Sequence, residues 1–191
     1  MSKLPAPVRH EEILAVATEL IQKGGAAALT MGALANSVGV SRPTIYQYFP
    51  SREHVFGEIL VNEMADLSNE LDRLLSGLED PLEQVRIWIH FSLAFMASER
   101  HRIVQMISVA ELPPEQSGML RAMHGFFTTS LIAPLSALGT KEPTSLCNLI
   151  LGSVGAAAQR IEKGTEYTIE AQALERFVMA GIDAARGASI S

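Results

Sequence analysis

Runs of apolar residues at helical spacing alternate along the chain with short polar, glycine- or proline-bearing breaks, and no run keeps the strict alternation of a half-buried strand. Ile13, Val16, Ala17, Leu20, Ile21 and Gly24 fall on one face of a first helix. Thr30 suits the N-cap of a second, whose inner face is Met31, Leu34, Ala35 and Val38. Gly39 stands where the chain must reverse, because a residue without a side chain accepts positive φ. Ser41 caps a third helix, and Pro43 is harmless in its first turn, where an N–H has no partner anyway. Ile45 and Phe49 turn inward and leave Arg42, Thr44, Gln47 and Tyr48 facing out. Ser51 caps a fourth helix from Arg52 toward Leu75, with Val55, Ile59, Leu60, Met64, Leu67, Leu71 and Leu74 as its stripe.

The rest of the chain repeats this grammar. Asp80-Pro81-Leu82-Glu83 combines a cap, a proline and a back-reaching glutamate, and opens a fifth helix to about Ser98. That helix is apolar on nearly every face and is expected to be central. A short sixth helix covers Ile103–Val109 and stops at Pro113-Pro114; a seventh spans Glu115–Leu138, with Pro134 bending or breaking its last turns. An eighth runs from Thr144 to about Glu162 and a ninth from Ile169 to Arg186. The expected fold is all-α, with about nine helices: an N-terminal three-helix domain with a helix-turn-helix over 1–56, and a helical domain over 57–191.

Length and composition narrow the class. At 191 residues with 48% apolar content the chain can bury a core without staples. Its single cysteine, Cys147, allows no internal disulfide and reads as a small buried hydrophobe, the alternative being a sensor thiol. No segment has the length of uncharged apolar residues that spans a bilayer, and the N-terminus lacks a signal-peptide apolar region, so a cytoplasmic protein is expected. The net charge of −6 is unevenly spread: residues 1–56 hold five Lys/Arg against four Glu, and the remainder ten against seventeen acids. The acidic excess therefore lies outside the helix-turn-helix.

The block from Leu29 through Thr30-Met31-Gly32-Ala33-Leu34-Ala35 and Val38-Gly39-Val40-Ser41-Arg42-Pro43-Thr44-Ile45-Tyr46-Gln47-Tyr48-Phe49 to Arg52-Glu53 resembles the N-terminal domain of the tetracycline-repressor (TetR) family of bacterial transcription regulators. The likeness is dense over about the first 57 residues. It implies a homodimer with paired DNA-binding heads and a ligand cavity in each larger domain. It also implies that Tyr46 and Tyr48 hydrogen-bond phosphates and that Thr30, Ser41 and Arg52 clamp the DNA backbone. Tyr46 has the alternative of a packing aromatic. Chemistry assigns the readers: Arg42 offers a fork to guanine, Pro43 and the Thr44 methyl can touch a thymine methyl, and Gln47 can pair with adenine. Many relatives carry a polar reader where this chain has Gly32, which concentrates readout on the third helix. The N-terminal arm, with Lys3, Arg9 and His10, either adds phosphate contacts or is a free tail.

The partners expected are double-stranded DNA with a palindromic operator, a second copy of the chain and a small hydrophobic effector, with no membrane. The resemblance places the last two helices in a dimer bundle through Leu149, Gly152, Ala156, Phe177, Ala180 and Gly181. The effector's walls are expected from Trp88, Phe91, Ser92, Phe95, Met96, Met106, Met123 and Phe127, with Met119, Phe126 and Ile107 nearby; a filled core shares that composition. His90, His124, Thr128 and Asn148 are further polar handles. The five histidines lack metal-ligand spacing, no catalytic motif is present, and no cofactor is expected. Two alternatives stay open: a helix-turn-helix regulator, activating or co-regulating, controlled by a protein partner, and a small helical enzyme.

Overall fold

The computed structural model describes residues 6–187, with side chains from residue 10 onward. Among the described residues there are ten α-helices, two 3-10 turns and no strand. The helices are α1 (Ala6–Gly24), α2 (Met31–Val38), α3 (Arg42–Tyr46), α4 (Arg52–Leu75), α5 (Pro81–Met96), α6 (Glu99–Met106), α7 (Pro114–Thr129), α8 (Ile132–Ala137), α9 (Pro143–Glu162) and α10 (Tyr167–Gly187). The expected seventh helix is two, because the chain turns at Ser130-Leu131 and Pro134 falls within the short α8 instead of ending a long rod. Pro134 has no N–H to give, so it is accommodated in a first turn.

Residues 6–65 and 102–121 form one compact unit. Its core joins Ile13, Ala17 and Ile21 of α1 to Leu34 and Ala35 of α2, Ile45 of α3, Phe49, and Val55, Phe56 and Leu60 of α4. Ile103, Ile107, Leu112 and Leu120 belong to the same core, so the stretch that ends α6 and begins α7 packs as part of the helix-turn-helix unit. Gln116 secures it there: its Nε2 donates to the His54 carbonyl over 3.2 Å, and its carboxamide occupies the space a Cβ on Gly57 would need.

Residues 66–101 and 122–187 form the other unit. Here α5 is central, packed on α8, α9 and α10, and Val85, Trp88, Ile89, Ser92 and Leu93 are buried. The Trp88 indole N–H donates to Ser130 Oγ at 3.0 Å, satisfying the one polar atom of a ring only 1% exposed. Asp80 caps α5 through the Leu82 N–H at 2.9 Å, whereas Glu83 pairs along the helix with Arg86 at 3.7 Å and does not close a reciprocal box. Leu74, expected on the buried stripe of α4, is exposed.

Candidate nucleic-acid interface

Local chemistry builds the outward face of α2 and α3. Thr30 Oγ1 accepts the Ala33 N–H at 3.0 Å, which starts α2 on an extended residue. Gly39 ends it at φ 76°, and its N–H and that of Val40 return to the Ala35 carbonyl. Ser41 Oγ accepts the Thr44 N–H at 3.3 Å and shares a second hydrogen bond with Thr44 Oγ1 at 2.8 Å. The burial pattern then sorts α3: Ile45 and Phe49 are sealed in the core, while Ser41, Arg42, Pro43, Tyr46 and Gln47 are exposed. Tyr46 is 47% exposed.

Arg42 folds back over α2, with its guanidinium beside Gly32: a Cβ there would stand 3.8 Å from Nε. The Thr44 hydroxyl is held by Ser41, and the residue is half-buried. Tyr48 is half-buried, its ring 6.4 Å from that of His10. His10 itself stacks on Phe49 at 4.9 Å and meets Glu58 Oε1 at 3.1 Å, so it is part of the packed head and not of a free arm. Lys3 and the Arg9 side chain lie outside the described residues.

At the start of α4, Arg52 lies over the Phe56 ring at 5.1 Å. Its Nε is 3.4 Å from Glu53 Oε1 and its terminal nitrogen 3.6 Å from Glu111 Oε2. The Glu53 carboxyl is held below its usual range, first by the Ser51 hydroxyl, then by its own backbone N–H and by Arg52, so it stays anionic. Sequence reasoning missed Glu111 altogether; nothing local distinguishes it from any surface acid.

The expected effector residues separate. Trp88 and Ser92 are buried in packing, and Ser92 Oγ has no hydrogen-bond partner. Phe127 lines a cleft of about 400 Å³ with Ser68, Leu71, Asp72, Phe126, Thr129 and Ser130. Phe91 and Phe95 line a second, of about 180 Å³, with Leu67, Glu70, Ala94, Ser98 and Arg100. Met96 and Met123 are half-buried and line neither; Met96 reaches instead toward Gly155. Met106 and Ile107 belong to the helix-turn-helix unit, Met106 exposed and Ile107 in its core. Phe126 and Met119, also expected near the walls, are both exposed, and of the two Phe126 lines a cleft, the one it shares with Phe127. Among the handles, His90 is engaged by Glu175 at 2.8 Å, Thr128 by its own helix, and His124 and Asn148 are exposed. Burial pushes the Cys147 thiol up, away from the thiolate a sensor needs.

On α9 and α10 the expected interface residues lie on the outside. Leu149 is 68% and Phe177 66% exposed, Gly152, Ala156 and Ala180 are exposed, and Gly181 is half-exposed. The buried sides of the same helices are Cys147, Ile150, Val154 and Ala157, and Leu174, Val178 and Ile182. Among the described residues no helix is long and apolar enough to cross a membrane, and no three His, Cys, Asp or Glu side chains gather to hold a metal.

Residues 13–59 match the family model described as bacterial regulatory proteins, tetR family. The nucleoid occlusion factor SlmA of Vibrio campbellii is 35% identical over 94 residues, which are 49% of this chain and 47% of that protein. The chain thus spans about half the length of the curated relatives it matches. A TetR-like transcriptional regulator from Rhodococcus sp. RHA1 superposes with a TM-score of 0.73 at 21% identity, covering 95% of this chain and 99% of that one. A TetR-family regulator from Vibrio parahaemolyticus gives 0.66 at 24% identity, covering 91% and 96%. Residues 13–59 thus carry a tetR-family N-terminal domain, and the chain shares its all-helical fold with TetR-family regulators of known structure.

Proposed function

We propose that this tetR-family DNA-binding regulator is a homodimeric repressor that binds an inverted-repeat operator and is released by a small, mainly hydrophobic effector. The observation that carries the reading is the row of exposed Arg42, Pro43, Tyr46 and Gln47 on α3, held outward by the buried Ile45 and Phe49. Arg42 and Gln47 supply the fork and the amide that read guanine and adenine edges, and Pro43 with the Thr44 methyl supplies apolar contact to thymine. Thr30, Ser41, Tyr46, Tyr48 and Arg52 hold phosphates and set the register. The division of labour is a DNA-binding domain over 1–56, whose core residues 102–121 share, and a regulatory domain in the remainder of 57–191.

A single small head makes few contacts, so dimerisation supplies the second half-site, about 34–36 Å away on the next major groove. The exposed apolar faces of α9 and α10, centred on Leu149 and Phe177, support pairing between two copies. The apolar part of each lining, Leu71, Phe126 and Phe127 in one cleft and Leu67, Phe91 and Phe95 in the other, supports an apolar effector. Release requires the effector to bind the non-operator conformation more tightly, with coupling of about 1–3 kcal/mol.

Sequencing genomic fragments retained by the purified protein tests this. Salt-sensitive retention of fragments sharing an inverted repeat is the expected result, and retention without sequence preference would overturn it. A second reading is control by a protein partner; it is favoured by the curated relatives, which are named for nucleoid occlusion and not for a metabolite. A thermal-shift screen separates the two, since any ligand of the native state raises the midpoint. The relatives and neighbours compared are named as regulators and a nucleoid occlusion factor, none as an enzyme.

A further inference from the structure

We propose that Glu111 is a built-in competitor for DNA phosphate at Arg52, a carboxylate that sets how tightly the head grips the backbone. The inference rests on the reading of Arg52 as a phosphate clamp. Arg52 opens α4, the helix that follows α3 in the chain, and its guanidinium already faces two carboxylates. Glu53 is its sequence neighbour and moves with it. Glu111 comes from 59 residues away, on the 3-10 turn Val109–Glu111, and approaches the terminal nitrogen to 3.6 Å. Those terminal nitrogens are the ones a phosphate oxygen would engage in a forked contact.

The geometry is held, not incidental. Ile103, Ile107 and Leu112 are buried in the core of the helix-turn-helix unit on both sides of that turn. Gln116 donates to the His54 carbonyl two residues beyond Arg52, and its carboxamide fills the groove left by Gly57. The turn is therefore anchored before and after Glu111, and the carboxylate is presented to Arg52 by packing. Glu111 itself is more than half exposed at its side chain, as is needed for an exchange with solvent ions or DNA. Because the pair is solvent-facing, its strength is that of a surface ion pair, and releasing it strengthens DNA binding by no more than about fivefold. A tuning role fits that magnitude; an on-off switch does not.

The test is a double-mutant cycle on the full chain, using a duplex of about 30 base pairs of random sequence, because a phosphate clamp acts independently of sequence. Glu111→Gln is expected to tighten binding about two- to fivefold and to steepen the salt dependence by about one phosphate contact. The gain is expected to vanish in Arg52→Ala, which alone weakens binding. Glu115→Gln removes another exposed acid of the same stretch and reports the effect of net charge alone. Equal tightening by Glu111→Gln in the Arg52→Ala background, or by Glu115→Gln, would overturn the competition while leaving the clamp intact. Unchanged binding of Arg52→Ala would remove the clamp and the competition with it. Far-ultraviolet circular dichroism and melting of each variant exclude misfolding as the source of either result.

Discussion

The guanidinium of Arg42 rests against Gly32, where a Cβ would be 3.8 Å from its Nε. The first residue of α3 thus covers the Gly32 position on α2, and the proposed base readout rests on α3, with Arg42, Thr44 and Gln47. Arg42→Ala is expected to lose about 1–3 kcal/mol of specific binding and to relax one base position in each half-site. Binding selection from a randomised operator library checks this, and an unchanged preference would take Arg42 off the reader list.

Gly57→Ala gains helix propensity but drives a methyl into the Gln116 carboxamide. Overpacking and the lost bond to His54 outweigh the gain, with a net destabilisation of about 1 kcal/mol or more. Urea unfolding of Gly57→Ala, Gln116→Ala and the double variant checks it. Recovery of stability in the double variant relative to Gly57→Ala is the expected signature.

Phe177→Glu places a charge on the exposed apolar face of α10, remote from that helix's buried side. Stability of the fold is expected to change by less than about 0.5 kcal/mol, while the dimer dissociates. Sedimentation at micromolar concentration, followed by DNA binding, reads both. A dimer that survives together with Leu149→Glu would place the interface elsewhere.

Trp88→Phe removes the donor to Ser130 and leaves a smaller ring in a closed site. The expected cost is about 1–3 kcal/mol in unfolding free energy. Neutral stability with an altered effector response would instead make Trp88 a pocket wall.

His101 sits edge-on to Phe95 at 5.3 Å with a buried Nδ1 that has no partner. Burial pushes its pKa down, and Glu162 only partly opposes that. The folded state therefore prefers the neutral ring, so its contribution is complete above the unfolded value, about 6.5, and is lost as pH falls toward the folded one. Melting temperatures from pH 7 downward should fall less steeply in His101→Gln than in the parent.

The parts legible in the sequence are those whose causes lie within a few residues. Thr30, Gly39 and Ser41 act on backbone groups one turn away, so both ends of α2 and the start of α3 follow from residue type alone. The same holds for α4, whose span from Arg52 to Leu75 matches its apolar stripe, and for the outward set on α3, which is the complement of Ile45 and Phe49. Tertiary packing decided the rest. Ile103, Ile107, Leu112 and Leu120 read as an ordinary apolar stretch, and only their burial shows that residues 102–121 complete the head. Trp88 and Phe126 are equally suited to a wall or a core; one is sealed and the other open because helix rotation, which depends on distant neighbours, chooses the face. The Arg52–Glu111 pair has the same origin: attraction between opposite charges needs proximity, and only the folded chain brings the turn after α6 to the start of α4.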